Sequence, residues 1–257
     1  MDIQKLIDQA LKPVPRVRSG KFSPSSFGKC FRAQVWNRRD ETQSNPPDER
    51  TLRVFKCGNL FEEFVTDLIT KVADCELQVK TEEDDVLGYA DIVSPNEVFD
   101  TKSQHSKAFW FMAKWKSDAE VVKEKYPNWL QVMYYTMKLG KEFGSLVFIS
   151  KDDLCIKQFT QKLDVNWINE LNKELATLRN FWTTEELPSA LPRCNKRKNP
   201  RKNEGWYWMC DYCNWKDKCM EMEGENHPNY KKIKKIVDDG LESVIMEAKH
   251  GDWGNRN

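Results

Sequence analysis

Asp100 and Lys102 are the residues of this 257-residue chain whose types and spacing first indicate chemistry. They flank Thr101 on a predicted β-strand, where side chains two positions apart project from the same face. Asp91 interrupts the preceding apolar strand, and it requires a partner because an unpaired buried carboxylate is costly. Two carboxylates on neighbouring strands are suitable oxygen ligands for a hard divalent cation such as Mg²⁺.

Further polar side chains are predicted on two helices. In the helix that follows Gly58, Glu62 falls at the margin of the apolar face, whereas Glu63 points towards solvent. Gln131 and Tyr135 are one turn apart on a later helix, so they share a face that can line a cleft.

Each of these features has an ordinary structural interpretation when it is taken by itself. An Asp-x-Lys pair is typical of a surface ion pair, and Glu62 alone is typical of a solvated helix acid. Gln131 with Tyr135 is typical of a half-exposed helix face. Only their joint order and spacing favour a functional site.

Three cysteines follow the spacing Cys210-x2-Cys213-x5-Cys219, which is a density of thiols typical of metal chelation. A fourth ligand is required, and the candidates are Cys30 and Cys194. On spacing alone, zinc and a [4Fe-4S] cluster are both admissible. The remaining cysteines lie in or beside apolar segments and are interpreted as buried thiols: Cys57, Cys75 and Cys155.

A basic run precedes an aromatic run near residue 200. The basic residues are Arg193, Lys196, Arg197, Lys198, Arg201 and Lys202. Trp206, Tyr207 and Trp208 follow, and cationic charge beside aromatic faces suits single-stranded DNA. The alternative is a solvated loop whose aromatic rings pack around the cysteines.

Hydrophobic periodicity predicts the elements that position these residues. The predicted helices cover residues 2–11, about 59–72, 107–125, 128–139, 165–182 and about 229–248. The predicted strands cover residues 75–79, 86–93, 97–102, 145–149 and 154–160, and residues 37–53 are predicted to be polar and to contain a loop. This order indicates an α/β fold in which helices cover a central sheet.

Composition excludes several classes of protein. The chain is 39% apolar with a net charge of +1 and has no apolar run of about 18 residues, so a disordered chain, a membrane-spanning protein and a globally basic protein are excluded. The first residues lack the pattern of a secretory or transit peptide, so we expect a cytoplasmic protein in which cysteines are thiols or metal ligands.

The order of the polar motifs resembles the nuclease core of the PD-(D/E)XK superfamily. More narrowly, Gly58-x3-Glu62, Gly88-x2-Asp91, Asp100-x-Lys102 and Gln131-x3-Tyr135 resemble RecB-like and AddB-like exonucleases and the related CRISPR-adaptation nucleases. Two departures are Glu62, where many relatives have His, and Asp100, where many have Glu. Both departures bear on the metal preference more than on the activity.

The resemblance implies a restriction-endonuclease-like core with a central mixed sheet over residues 58–182. An N-terminal segment, residues 1–57, carries the first cluster cysteine, and a C-terminal segment covers residues 183–257. An iron-sulfur clasp joins these two segments in the relatives, and the ligands implied here are Cys30, Cys210, Cys213 and Cys219. Zinc, or a site that uses Cys194, is the less favoured alternative.

The implied mechanism is metal-assisted hydrolysis of a phosphodiester bond. The implied ligands of Mg²⁺ or Mn²⁺ are Glu62, Asp91, Asp100 and the backbone carbonyl of Thr101. Lys102 orients the attacking water or stabilises charge on the phosphate. Gln131 and Tyr135 position the DNA strand or the lysine.

The sequence therefore predicts a metal-dependent DNA exonuclease, with endonuclease activity as a further option. It acts on single strands or duplex ends, with the basic run and Trp206 as its DNA contacts. Phage, recombination or CRISPR-adaptation systems are the implied setting and source of partner proteins. The alternative function is a non-catalytic DNA-binding module with a zinc or iron-sulfur site.

Overall fold

A computed structural model describes residues 1–14, 19–194, 196–198 and 205–229. Its helices are α1 (Ile3–Ala10), α2 (Phe31–Arg38), α3 (Glu49–Ile69), α4 (Ser106–Trp115), α5 (Asp118–Glu124), α6 (Tyr126–Lys138), α7 (Val165–Thr183) and α8 (Lys216–Glu223). Its strands are β1 (Glu76–Glu82), β2 (Leu87–Val93), β3 (Glu97–Gln104), β4 (Phe143–Ser150), β5 (Ile156–Lys162), β6 (Lys196–Lys198) and β7 (Gly205–Tyr207). Within these ranges no helix has both the length and the apolarity that a membrane crossing requires.

The chain divides into two compact units. The first unit comprises Met1–Glu41 and Pro47–Pro188, and it contains α1 to α7 and β1 to β5. The second unit comprises Thr42–Pro46 and the chain from Ser189 onward, with β6, β7 and α8 in its described part. The helix predicted over residues 229–248 lies outside the described residues, apart from its first residue.

The first unit is built on one mixed sheet with the strand order β1-β2-β3-β4-β5. Neighbouring strands are antiparallel except β3 and β4, which run parallel along their whole length from Glu97 opposite Phe143 to Gln104 opposite Ser150. A parallel pair needs a crossover connection, and α4, α5 and α6 supply it. The predicted α/β fold with a central mixed sheet flanked by helices is confirmed.

Helices cover both faces of this sheet. Val98 of β3 belongs to the main apolar core, together with Trp129, Leu130 and Met133 of α6. Ser103 lies an odd number of positions away on the same strand, so its side chain projects from the opposite face, where α3 passes closest at Gly58. Asp100 and Lys102 share the parity of Val98 and therefore lie on the α6 side.

The segment that precedes α2 is fixed to this core. Phe22 is buried and exchanges backbone hydrogen bonds with the turn before β2, from its N–H to Asp85 O at 2.8 Å and from Leu87 N–H to its own carbonyl at 3.0 Å. Gly28 has a positive φ of 74°, and its N–H donates to the buried Glu174 at 3.0 Å. A Cβ at Gly28 would lie 2.9 Å from Pro127 Cα, so α6 and this segment touch at a position that admits only glycine.

The start of α3 and the burial of its apolar stripe differ from the prediction. The helix begins at Glu49, inside the predicted loop, because the Asp48 carboxylate caps it by accepting from Thr51 N–H at 2.7 Å. Its apolar stripe also remains about half exposed, at Leu60, Phe64 and Leu68. The helix instead approaches β3 at Gly58, where an added Cβ would still lie 3.9 Å from Ser103 Oγ.

Two further differences concern helix boundaries. Helix α2 was not predicted, because its sequence has no apolar periodicity and its burial comes from tertiary contacts. The single helix predicted over residues 107–125 is two helices, because Ser117 and Glu120 form a reciprocal capping box that starts α5.

We expect Gly88→Ala to destabilise the protein by about 1–3 kcal/mol, because the new Cβ would lie 2.5 Å from Tyr135 Oη and 2.9 Å from Pro24 Cδ. Gly58→Ala is the matched control. It lies within α3 and would meet only Ser103 Oγ at 3.9 Å, so we expect no loss, or a gain of up to about 1 kcal/mol. Urea denaturation measures both, and equal effects would contradict this account of the packing.

Candidate active site

The antiparallel ladder between β2 and β3 stops where the two aspartates begin. The strands pair through Ile92 with Phe99 and Val93 with Val98, and the next position on each strand is an aspartate, Asp91 or Asp100. Beyond this point the Asp91 carboxylate accepts the N–H of Thr101 at 3.0 Å. A side chain thus replaces the ladder, and both carboxylates lie where the sheet opens.

Asp100 is the most buried acid of the site, with 1% of its surface exposed. Lys102 Nζ donates to its Oδ1 at 2.7 Å, while its Oδ2 is buried and has no hydrogen-bond partner among the described residues. Burial raises the pKa of Asp100 to about 7; Lys102 opposes this shift, and the Asp91 carboxylate adds to it. The group is therefore short of positive charge.

The other charged groups of the site also contain more negative than positive charge. Burial raises the pKa of Asp91, although Lys102 and the Thr101 N–H oppose the rise. Burial and then Asp91 raise the pKa of Glu62, whose carboxylate accepts from Gln78 Nε2 at 2.7 Å. Burial lowers the pKa of Lys102, but the three carboxylates outweigh it and the net shift is upward. Lys102 therefore stays cationic at neutral pH.

Helix α6 brings the predicted glutamine and tyrosine to the same region. Gln131 and Tyr135 are both buried. The pKa of Tyr135 is raised, first by burial and then by Asp100 and Asp91, while hydrogen bonds with the Tyr89 backbone and Gln131 oppose the rise. The tyrosine ring passes over Gly88 of β2, and this explains why the Gly88-x2-Asp91 spacing and Tyr135 occur together.

The structure gathers Glu62, Asp91, Asp100, Thr101 and Lys102 into one electrostatically coupled group, with α6 beside it. Glu62 is half-buried and Glu63 is exposed, which agrees with the predicted orientation of the helix.

Sequence reasoning missed two features of the site. The Lys29 ammonium interacts with Lys102 and Asp100: burial and then Lys102 lower the pKa of Lys29, and Asp100 opposes them. The Thr101 hydroxyl is buried without a hydrogen-bond partner among the described residues. Nothing in the sequence marks Lys29, because the positive φ of the preceding Gly28 is known only from the structure.

The acids of the site fit a divalent cation in chemistry. Carboxylate oxygens are the ligands that Mg²⁺ and Mn²⁺ prefer, and the orphaned Oδ2 of Asp100 needs a positive partner. The described residues do not, however, contain three acidic, histidine or cysteine side chains already arranged as a cage. Each acid is instead held by a protein donor, and the donors are Gln78, the Thr101 N–H and Lys102.

Three of the predicted cluster cysteines lie in the second unit. The Cys213 N–H donates to Cys210 O at 3.3 Å, and the Cys219 N–H donates to Trp215 O at 2.9 Å near the start of α8. Cys194 belongs to the same unit, whereas Cys30, at the N-terminal boundary of α2, belongs to the first. The three cysteines interpreted as buried thiols are half-buried instead: Cys57, Cys75 and Cys155.

The described parts of the basic and aromatic runs, β6 and β7, pair as two short antiparallel strands. Lys196 lies opposite Tyr207 in its register, Arg197 opposite Trp206 and Lys198 opposite Gly205. Arg193 is half-buried. Arg201 and Lys202 lie outside the described residues.

The raised pKa of Asp100 predicts a pH dependence of stability in EDTA. The folded protein holds the proton up to about pH 7, whereas the ordinary value is 3.8, so protonation stabilises the fold. We expect the free energy of unfolding to fall as the pH rises from about 4 through about 7. Asp100→Asn should reduce this slope by up to about 1.4 kcal/mol per pH unit.

Urea denaturation at several pH values measures this slope. Asp164→Asn is the control, because hydrogen bonds from the first turn of α7 lower the pKa of Asp164, and the variant should change stability equally across the window. A slope that Asp100→Asn leaves unchanged would disprove the assignment.

No protein-family model matches the chain, and no curated protein matches its sequence. Among solved structures, the protein SSO0001 is similar, with 14% identity over 82% of this chain and 91% of that one and a TM-score of 0.49. An alkaline exonuclease from Laribacter hongkongensis is similar with 13% identity over 70% and 93% of the two chains and a TM-score of 0.47.

A phage-related exonuclease from Haemophilus somnus is similar with 16% identity over 51% of this chain and 71% of that one, and its TM-score is 0.41. All three TM-scores are below 0.5. The function of this chain must therefore be argued from the geometry of its site.

Proposed function

We propose that this protein is a metal-dependent deoxyribonuclease with a PD-(D/E)XK core, and that it hydrolyses phosphodiester bonds in single strands or at the ends of DNA. One observation carries the proposal. Asp91, Asp100 and Lys102 meet where β2 and β3 separate, and the Oδ2 of Asp100 is buried without a partner. Such an arrangement lacks a cation, and a divalent metal would correct the charge.

The residues that would hold Mg²⁺ or Mn²⁺ are Asp91, Asp100, Glu62 and the backbone carbonyl of Thr101. A cation held by these residues would supply Lewis-acid chemistry: it would polarise a phosphate oxygen and would lower the pKa of a bound water. The aspartates lie on paired strands of the sheet, so their positions are fixed before substrate arrives.

Lys102 would act as a positively charged ammonium and not as a neutral amine that accepts a proton. Its pKa is raised by the three carboxylates, so it remains an ammonium at neutral pH. It can donate a hydrogen bond to a phosphate oxygen or to the attacking water, and it stabilises the negative charge that develops on the phosphate. A role as general base would require a lowered pKa.

Tyr135 and Gln131 support this arrangement from α6. The raised pKa of Tyr135 keeps its phenol protonated, so it can donate a hydrogen bond. Both side chains are buried, and Tyr135 lies against Gly88 of β2, so they are suited to fix the strand edge and to orient the DNA backbone or Lys102.

Lys102→Ala should reduce the hydrolysis of end-labelled single-stranded DNA in Mn²⁺ by at least about 100-fold, because it removes a preorganised charge at the phosphate. The fold should persist, as judged by circular dichroism. Lys157→Ala is the control, since Lys157 is an exposed lysine on β5 and its loss should leave the rate unchanged.

Equal degradation by wild type and Lys102→Ala would disprove the site. DNA binding without hydrolysis by the wild type in Mg²⁺ or Mn²⁺ would favour the second function, a non-catalytic DNA-binding module in which the ion pair is structural. Substrates blocked at either end, or circular, separate exonuclease from endonuclease activity.

We also propose a [4Fe-4S] cluster held by Cys30, Cys210, Cys213 and Cys219, as in the AddB-like and CRISPR-adaptation nucleases that the chain resembles. The proposal depends on the spacing of the thiols, because the described residues contain no preformed group of three ligands. Cys30 precedes the nuclease core along the chain and the other three cysteines follow it, so the cluster would join the N-terminal and C-terminal segments. Partner proteins from recombination or CRISPR-adaptation systems follow from the same resemblance.

Anaerobically purified protein should be brown, and Cys213→Ala should remove its broad visible absorption. Cys30→Ala should have the same effect, whereas Cys194→Ala should keep the colour. If Cys194→Ala lost the colour and Cys30→Ala kept it, Cys194 and not Cys30 would be the fourth ligand. Colourless protein with one equivalent of zinc would replace the iron-sulfur cluster by a zinc site.

A further inference from the structure

Helix α4 has an outer face that its packing does not require. Phe109 and Met112 bury the inner face, each with 1% of its surface exposed. On the outer face, Trp110 and Phe111 remain 43% and 57% exposed. An exposed aromatic pair beside a filled core indicates a binding role.

Two lysines complete this outer face. Lys107 and Lys114 are exposed, and they fall three or four residues before and after the rings, so all four side chains form one stripe along the helix. The lysines are about 10 Å apart along the helix axis, at 1.5 Å per residue. The stripe therefore has two aromatic rings between two cations.

A cleft of about 590 Å³ lies at the first half of this stripe, and it is lined by His105, Lys107, Ala108, Trp110 and Phe111. The indole ring is held in place, because Trp110 Nε1 donates to Asp153 at 2.7 Å and the Phe109 ring packs against it edge to face at 5.3 Å. A ring held in this way loses little freedom when a ligand stacks on it.

The helix begins directly after the strand that carries the proposed site. His105, which lines the cleft, follows β3 and caps α4, and it lies three positions after Lys102. At about 3.3 Å per residue this separation is at most about 10 Å along the chain. Trp110 and Phe111 lie five and six positions beyond His105, about 8–9 Å further along the helix axis at 1.5 Å per residue. A DNA strand with a phosphate at Asp100 and Lys102 that runs along α4 would therefore reach the rings within a few nucleotides.

We propose that the α4 stripe is a stacking site for unpaired bases of a DNA single strand, with Trp110 and Phe111 as the platform and Lys107 and Lys114 as phosphate contacts. Aromatic rings stack on any base, and flanking lysines neutralise the backbone. The proposal rests on the nuclease function above, which is the reason for naming DNA as the ligand. It narrows the substrate to DNA whose bases next to the cleaved bond are unpaired.

The test measures binding of a fluorescein-labelled oligothymidylate by anisotropy in EDTA, where hydrolysis does not occur. We expect the double variant Trp110→Ala, Phe111→Ala to raise the Kd at least about 10-fold. Lys107→Ala should lower the slope of log affinity against log salt by about 0.7. Phe55→Ala, which removes a 55% exposed ring from α3, is the control and should leave the Kd unchanged.

The variant Trp110→Phe, Phe111→Tyr retains both rings and should bind as wild type does, which separates loss of stacking from misfolding. An unchanged Kd in the double alanine variant would overturn the proposal. So would an altered oligomeric state with unchanged DNA affinity, because the stripe would then be a protein interface. Equal hydrolysis by wild type and Lys102→Ala would disprove the nuclease proposal. The stacking site would still be supported if the Kd for the oligothymidylate depended on the two rings.

Discussion

The separation of β2 from β3 at Asp91 and Asp100 is the constraint on which the site depends. Paired strands would satisfy their own backbone groups and leave no room for carboxylates between them. Here Asp91 takes the Thr101 N–H, so the strands diverge without an orphaned donor. At the same place Asp100 is buried beside Lys102, and one of its carboxylate oxygens has no partner among the described residues, so a cation would be stabilised there.

Other parts of the first unit hold this opening in position. Tyr135 lies over Gly88, two residues before β2 reaches its buried Ala90, and Gly28 lies against the first turn of α6. Both contacts depend on a missing Cβ. Any side chain larger than that of glycine would clash with α6 at these two positions. Lys29, which interacts with Lys102 and Asp100, directly follows Gly28 and its positive φ.

Much of the fold and of the acid site follows from sequence periodicity, but features that depend on tertiary contact do not. The strand carrying Asp100 and Lys102 and the helix face carrying Glu62 are local patterns, and they agree with the structure. The start of α3 at Glu49 depends on a single cap from Asp48. Lys29 cannot be found by spacing, because its proximity to Lys102 comes from chain segments more than 70 residues apart.

The short segment Thr42–Pro46 has a consequence for how the chain folds. Asn45 accepts the Asp217 N–H at 2.8 Å and donates to the Asp217 carboxylate at 2.7 Å, while Ser44 accepts the Lys218 N–H at 3.2 Å. These bonds cap the first turn of α8, although α8 lies some 170 residues further along the chain. The second unit is therefore discontinuous in sequence. During synthesis its capping residues leave the ribosome some 170 residues before α8 does, so this unit cannot complete its folding until α8 has emerged.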